Sequence, residues 1–125
     1  MKLLLRMTIT LGLLVSSPAL LAADLNGLWK NDEQAIWINI QFDGDSATGT
    51  VARDDADPAA VGALILKEVV ADSAAWHGQI YAKKLGAFKA AELTLTSSDQ
   101  LTILVKMGLF SKSVGWTRVT ALPAD

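Results

Sequence analysis

The chain has 125 residues, with 11 basic side chains against 13 acidic ones and one histidine. That length suits one small domain, and the mild acidity argues against a nucleic-acid-binding surface, which is usually basic. There is no cysteine, which excludes thiol catalysis, disulfide staples and cysteine-held metals.

The first residues have the pattern of a secretory leader. Lys2 and Arg6 give a basic start, Met7 to Val15 is largely apolar, and Leu20-Leu21-Ala22-Ala23 ends in small residues. The apolar core is shorter than the roughly 20 residues of a membrane-spanning helix. A signal peptide over residues 1–23 is expected, cut after Ala22 or Ala23. That leaves a single domain, 24–125, with no membrane anchor after cleavage and the periplasm as its expected address.

Gly27-Leu28-Trp29-Lys30 opens the domain, and Asn31 to Gln34 is a polar turn. From Ala35 to Asp43 the chain alternates. Ile36, Ile38, Ile40 and Phe42 fall on one face, and Trp37, Asn39 and Gln41 on the other. Period two is the mark of a strand. Asp43-Gly44-Asp45 turns it back into Ala47–Arg53, completing a hairpin. Asp54 to Pro58 breaks the pattern and is expected to be a solvated loop, since no glycine or glutamate follows at calcium-loop spacing. A loop or short helical turn should then give way to a strand from about Leu64.

Strands follow over Trp76–Tyr81, with Trp76, Gly78 and Ile80 on one face, over Ala87–Ser97, and over Leu101–Met107. Gly108 to Ser113 is a connection carrying Phe110, and a last strand runs from Val114 to Leu122. Seven or eight strands at regular spacing indicate an all-β fold, a small antiparallel barrel or sandwich. Closing the sheet would remove its free edges.

The two ends of the domain carry a resemblance. Gly27-Leu28-Trp29 on the first strand and Arg118 on the last resemble the closure of lipocalin-like barrels, where an arginine lies across an indole. The wider order resembles the domain-of-unknown-function family 2147 of small exported bacterial proteins. Gly49-Thr50-Val51, Asp57-Pro58, Gly62 to Leu66, Trp76-His77-Gly78-Gln79-Ile80-Tyr81 and Trp116-Thr117-Arg118-Val119 carry it. The resemblance implies a lipocalin-like β-barrel in which Gly27, Trp29, Trp116 and Arg118 are structural. It implies no catalytic residue.

Nothing in the residues adds a reaction. His77 alone, without cysteine, does not supply the usual zinc set, and no nucleophile or phosphate-loop motif is present. No cofactor and no metal are expected. The acids lie mostly in turns, so no facing carboxylate pair is assigned. Binding rather than catalysis is the reading, with an enzyme of unrecognised type as the minor one. The four tryptophans suggest an aromatic site for a small apolar ligand, with Trp37, Trp76 and Tyr81 as candidates in the barrel mouth. The alternative is a periplasmic protein-interaction module, such as a protease-inhibitor-like barrel. Aromatic residues also fill cores, and a filled or nearly filled barrel is expected at this length.

Overall fold

A computed structural model describes residues 25–124; the expected signal segment, 1–23, lies outside them. Eight antiparallel strands form a closed barrel in sequence order. They are β1 (Gly27–Asn31), β2 (Ile36–Asp43), β3 (Ser46–Asp54), β4 (Leu64–Asp72), β5 (Ala75–Ala82), β6 (Ala87–Ser97), β7 (Gln100–Lys106) and β8 (Ser111–Val119). Each strand pairs with its neighbours in the chain, and β1 pairs with β8 to close the ring. A 3-10 turn, Pro58–Ala60, interrupts the β3–β4 connection. The barrel therefore exists for the reason the alternation suggests: each strand has one apolar face, and curling the sheet buries all of those faces at once.

The last strand starts and ends three residues earlier than its sequence pattern indicates. Met107 donates its N–H to the carbonyl of Phe110 at 2.8 Å, and Lys106 pairs with Ser111. That tight turn uses up only Met107 to Phe110, so Ser111 already belongs to β8.

Alternation decides which residues are inside. Ile38 and Ile40 of β2, Leu66 of β4, Trp76 and Ile80 of β5, and Leu93 of β6 are buried in one core with Leu101, Ile103 and Trp116. One end of that core is closed. Trp29 pairs in register with Arg118, so both point inward. The guanidinium carbon of Arg118 stands 4.4 Å from the centre of the Trp29 ring. Its Nε donates to the Ser98 carbonyl at 3.0 Å and its Nη1 to the Asn26 carbonyl at 2.8 Å. The Trp29 indole donates to the Leu25 carbonyl at 3.0 Å. One side chain from β8 thus ties the residues before β1 to the β6–β7 turn, across an indole.

Gly27 is part of the same contact. Its φ is +132°, and a Cβ there would lie 3.2 Å from Arg118 Nη1. A side chain would be strained in that backbone conformation and would crowd the guanidinium.

A second tie crosses the same seam on the outside. Asp32, in the β1–β2 turn, accepts from Thr117 Oγ1 at 2.6 Å and from Gln100 Nε2 at 2.9 Å. In Trp116-Thr117-Arg118, the outer residues face the interior and the middle one faces Asp32.

Candidate functional site

The opposite end of the barrel is open. The β1–β2 turn, the β3–β4 connection, the β5–β6 turn and the β7–β8 turn all meet there. Between them lies a cavity of about 750 Å³. It opens toward the mouth above an interior that is nearly filled, as expected, with Ile38 and Trp116 each 1 % exposed. The inward positions near this end are aliphatic or small, including Ile38, Val51, Val105 and Val114, with Ala60 and Ala63 from the connection. Most of the aromatic volume lies elsewhere. Trp29 and Trp76 are buried outside this lining, whereas Trp37, Tyr81 and Phe88 occupy outward strand positions.

Two of the three aromatic candidates are therefore not in the cavity wall. Trp37 pairs with Lys30 on β1 and Arg53 on β3 and faces outward, opposite in parity to Ile36 and Ile38. It is still only 7 % exposed, because two cations cover it. Lys30 Nζ is 5.5 Å and Arg53 Cζ 5.4 Å from its ring centre. Arg53 also bonds the Asp55 carboxylate at 2.7 Å and the Pro123 carbonyl at 3.0 Å. Trp76 points inward, but at the start of β5, next to the closed end, with Leu93 as its β6 partner. Tyr81 stands at the rim, 41 % exposed, its ring edge-on to Phe88 with centroids 5.4 Å apart.

Trp37→Phe is accordingly expected to leave uptake of an apolar dye by the cavity unchanged, while lowering stability by about 1 kcal/mol through lost packing and cation contact. Dye titration and urea unfolding of the same variant check the two halves. Loss of dye binding without loss of stability would place Trp37 in the site after all.

The residues that do shape the cavity include some that aromatic content does not single out. Trp116 is 1 % exposed and contributes to the wall. Its role is thus wider than closure. Its indole N–H has no hydrogen-bond partner among the described residues, and neither does that of Trp76. Buried donors without acceptors are uncommon and costly. Asp54 is the one charged residue in the buried set of the described chain, 7 % exposed at the cavity wall. Its Oδ1 accepts the N–H groups of Ala56 and Asp57, both at 3.0 Å. The expected solvated loop thus begins on a buried carboxylate, which folds the connection back over the mouth. The backbone fixes it there: Val51 N–H donates to the Ala63 carbonyl at 3.0 Å, and Asp55 N–H to the Ala35 carbonyl at 3.0 Å.

The mouth has two unlike sides. Asp32, Glu33, Asp54, Asp55 and Asp57 lie in the β1–β2 turn and at the end of β3 and the connection that follows. Lys83 and Lys84 lie in the β5–β6 turn, and Lys106 and Lys112 flank the β7–β8 turn. Lys112 pairs with Val105 and so faces the cavity entrance. A cup with a largely apolar wall, the buried Asp54 carboxylate and further charges at its lip can hold one small apolar body and orient it by its polar end.

His77 is on the outer face, 3.0 Å from an Asp72 carboxylate oxygen and half exposed. Among the described residues, no group of three or more His, Cys, Asp or Glu side chains is placed to hold a metal ion. No helix among them is long and apolar enough to cross a membrane.

The closed ring of eight strands and the one-ended cup are now both defined. The chain matches no family model, no curated protein and no solved structure. Its fold is established by its strand pairing, and its function is argued from the cup.

Proposed function

We propose that this chain binds one small apolar ligand in the cup, acting in the periplasm as a carrier or sensor of the lipocalin-like kind. The observation that carries the reading is the cavity of about 750 Å³, walled by aliphatic side chains and Trp116 with charged residues such as Asp54, Lys84 and Lys112 among them. That volume lies within the roughly 300–1,000 Å³ of ordinary small-molecule sites. The leader-like residues 1–23 support the address, and the order of motifs supports a place beside the domain-of-unknown-function family 2147.

The ligand enters past the β5–β6 and β7–β8 turns, with its apolar part against Ile38, Val51 and Trp116. Any polar group stays at the lip, near Lys112. Val114→Trp tests this. Val114 faces the cavity from β8 as the partner of Ile103, so an indole there takes up ligand volume without entering the packed half of the core. Binding of a solvatochromic apolar dye is expected to fall on the order of tenfold or more, the equivalent of about 1.4 kcal/mol, with the melting temperature held. Unchanged dye binding in a folded variant would rule out the cup as the site. Native mass spectrometry of protein recovered from the periplasm distinguishes a retained small molecule from a bound protein. The second outcome would favour the interaction-module reading.

A further inference from the structure

The cup accounts for the apolar wall, but not for apolar side chains that face solvent around its mouth. Leu85 is 52 % exposed in the β5–β6 turn, and Phe110 is 66 % exposed in the β7–β8 turn. Leu109 is fully exposed beside it. These residues stand on the tips of two turns that project from the same end of the barrel. The β7–β8 tip is held in shape by the Met107 to Phe110 backbone bond, so Leu109 and Phe110 are presented rather than folded away.

Lysines accompany these tips. Lys83 and Lys84 precede Leu85, and Lys106 and Lys112 bracket Leu109 and Phe110. No acidic residue occurs from Ser73 to Ala91 or from Gln100 to Ala124. The chain as a whole is acidic by two charges, so this lip is a local reversal of sign. The acids of the same end are gathered on the opposite lip.

From this juxtaposition we propose that the β5–β6 and β7–β8 turns dock the barrel on an anionic lipid surface, with Leu85, Leu109 and Phe110 entering the headgroup layer. The lysines fit that occupant in particular. Their stems can lie along the apolar boundary while their ammonium groups reach phosphates. Separate apolar tips ringed by cations suit a soft, charged interface. A flat protein partner would be met by a continuous patch. Docking in this way turns the mouth of the cup toward the acyl chains. The proposal goes beyond ligand binding and does not depend on what fills the cup.

The absence of cysteine makes the test direct. Leu109→Cys, labelled with a nitrobenzoxadiazole fluorophore, reports the polarity at that tip, and Asp45→Cys at the closed end serves as control. The exported protein is mixed with phosphatidylcholine vesicles, either alone or with one third phosphatidylglycerol. The expected result is a rise and blue shift of emission at position 109 with the anionic vesicles only, weakened by salt over the Debye range, and no change at position 45. In co-sedimentation, the L109S/F110S double variant should bind these vesicles on the order of tenfold more weakly, with an unchanged melting temperature and unchanged dye binding in vesicle-free buffer.

Failure to bind either vesicle overturns the proposal. So does binding that leaves the label at 109 in water, or equal binding to neutral and anionic vesicles. A blue shift without vesicles that follows a doubling of mass would make the occupant a second copy of the chain and overturn the lipid. Dye binding in buffer is read separately, so failure of docking leaves the ligand reading standing, and failure of the cup leaves docking standing.

Discussion

Trp29→Ala should cost about 3–5 kcal/mol of unfolding free energy, as large buried aromatic deletions do. Small domains have about 5–15 kcal/mol in total, so the variant should sit near the edge of folding. Three losses combine. The indole is fully buried at the closed end, so its removal leaves a void among Leu25, Ile38 and Ile40. Its N–H no longer holds the Leu25 carbonyl. Arg118 loses the ring beneath its guanidinium, an interaction worth about 0.5–2 kcal/mol depending on desolvation. Urea unfolding is the measurement: the midpoint should fall with little change in slope, because the surface exposed on unfolding is nearly the same. The cycle with Arg118→Ala then isolates the pair. The double variant should be less destabilised than the sum of the singles, because each single already removes the stack. A Trp29→Ala midpoint within about 0.5 kcal/mol of the parent, the range of ordinary surface changes, would mean that the ring is held by the strand ladders alone.

That clasp was legible in the sequence through a resemblance, that of Gly27, Trp29 and Arg118 to the closure of lipocalin-like barrels. A glycine and a tryptophan two residues apart at one end, and an arginine near the other, also coexist by chance, and it is the 4.4 Å stack of Arg118 on Trp29 that shows the contact. The barrel was legible too, since the period-two runs of β2, β5, β6 and β7 fix which side chains share a face. The cup was less so. Whether an interior is full depends on summed volumes across strands far apart in the chain, such as Val51, Val105 and Val114, and no local pattern reports that sum. Trp37 is the instructive case. The alternation that puts Ile36 and Ile38 inside puts Trp37 outside, whereas Tyr81, also at an outward position, still reaches the rim of the cavity because it stands at the end of β5. Reading aromatic type without parity sends Trp37 to the mouth. Asp54 was hidden for a different reason. An acid before a proline-containing loop looks solvated, and only the backbone N–H groups of Ala56 and Asp57 show that it is held and buried.

The two ends of the barrel differ in how tightly their side chains are held. At the Trp29 end, Leu25, Trp29, Ile38 and Ile40 are buried together, so side chains there are constrained by fit. Around the mouth the backbone is fixed by the connection after β3, yet the side chains of Leu85, Leu109 and Phe110 contact little. Substitutions at these tips should therefore change what the protein meets and not whether it folds.

Gly78→Ala should cost about 1–3 kcal/mol despite adding only one methyl group. β4 is irregular opposite this position: its register with β5 shifts between Lys67 and Val70, and Glu68 takes a φ of +55°. The bulge pushes β4 toward β5, and Gly78 leaves the space it needs. A Cβ on Gly78 would come within 2.7 Å of Val69 Cγ2 and 2.9 Å of the Lys67 carbonyl oxygen. Side chain and backbone cannot both give way without disturbing the β4–β5 pairing that runs to the mouth. Val69→Ala separates the two clashes. Alone it should destabilise, since Val69 is fully buried, but combined with Gly78→Ala it should recover part of the loss by freeing the methyl site. The coupling should be at least about 0.5 kcal/mol, the lower end for residues in contact, and thermal unfolding of the four proteins measures it. Strict additivity would show that the Lys67 carbonyl alone sets the cost. A neutral Gly78→Ala would show that the bulge in β4 can relax.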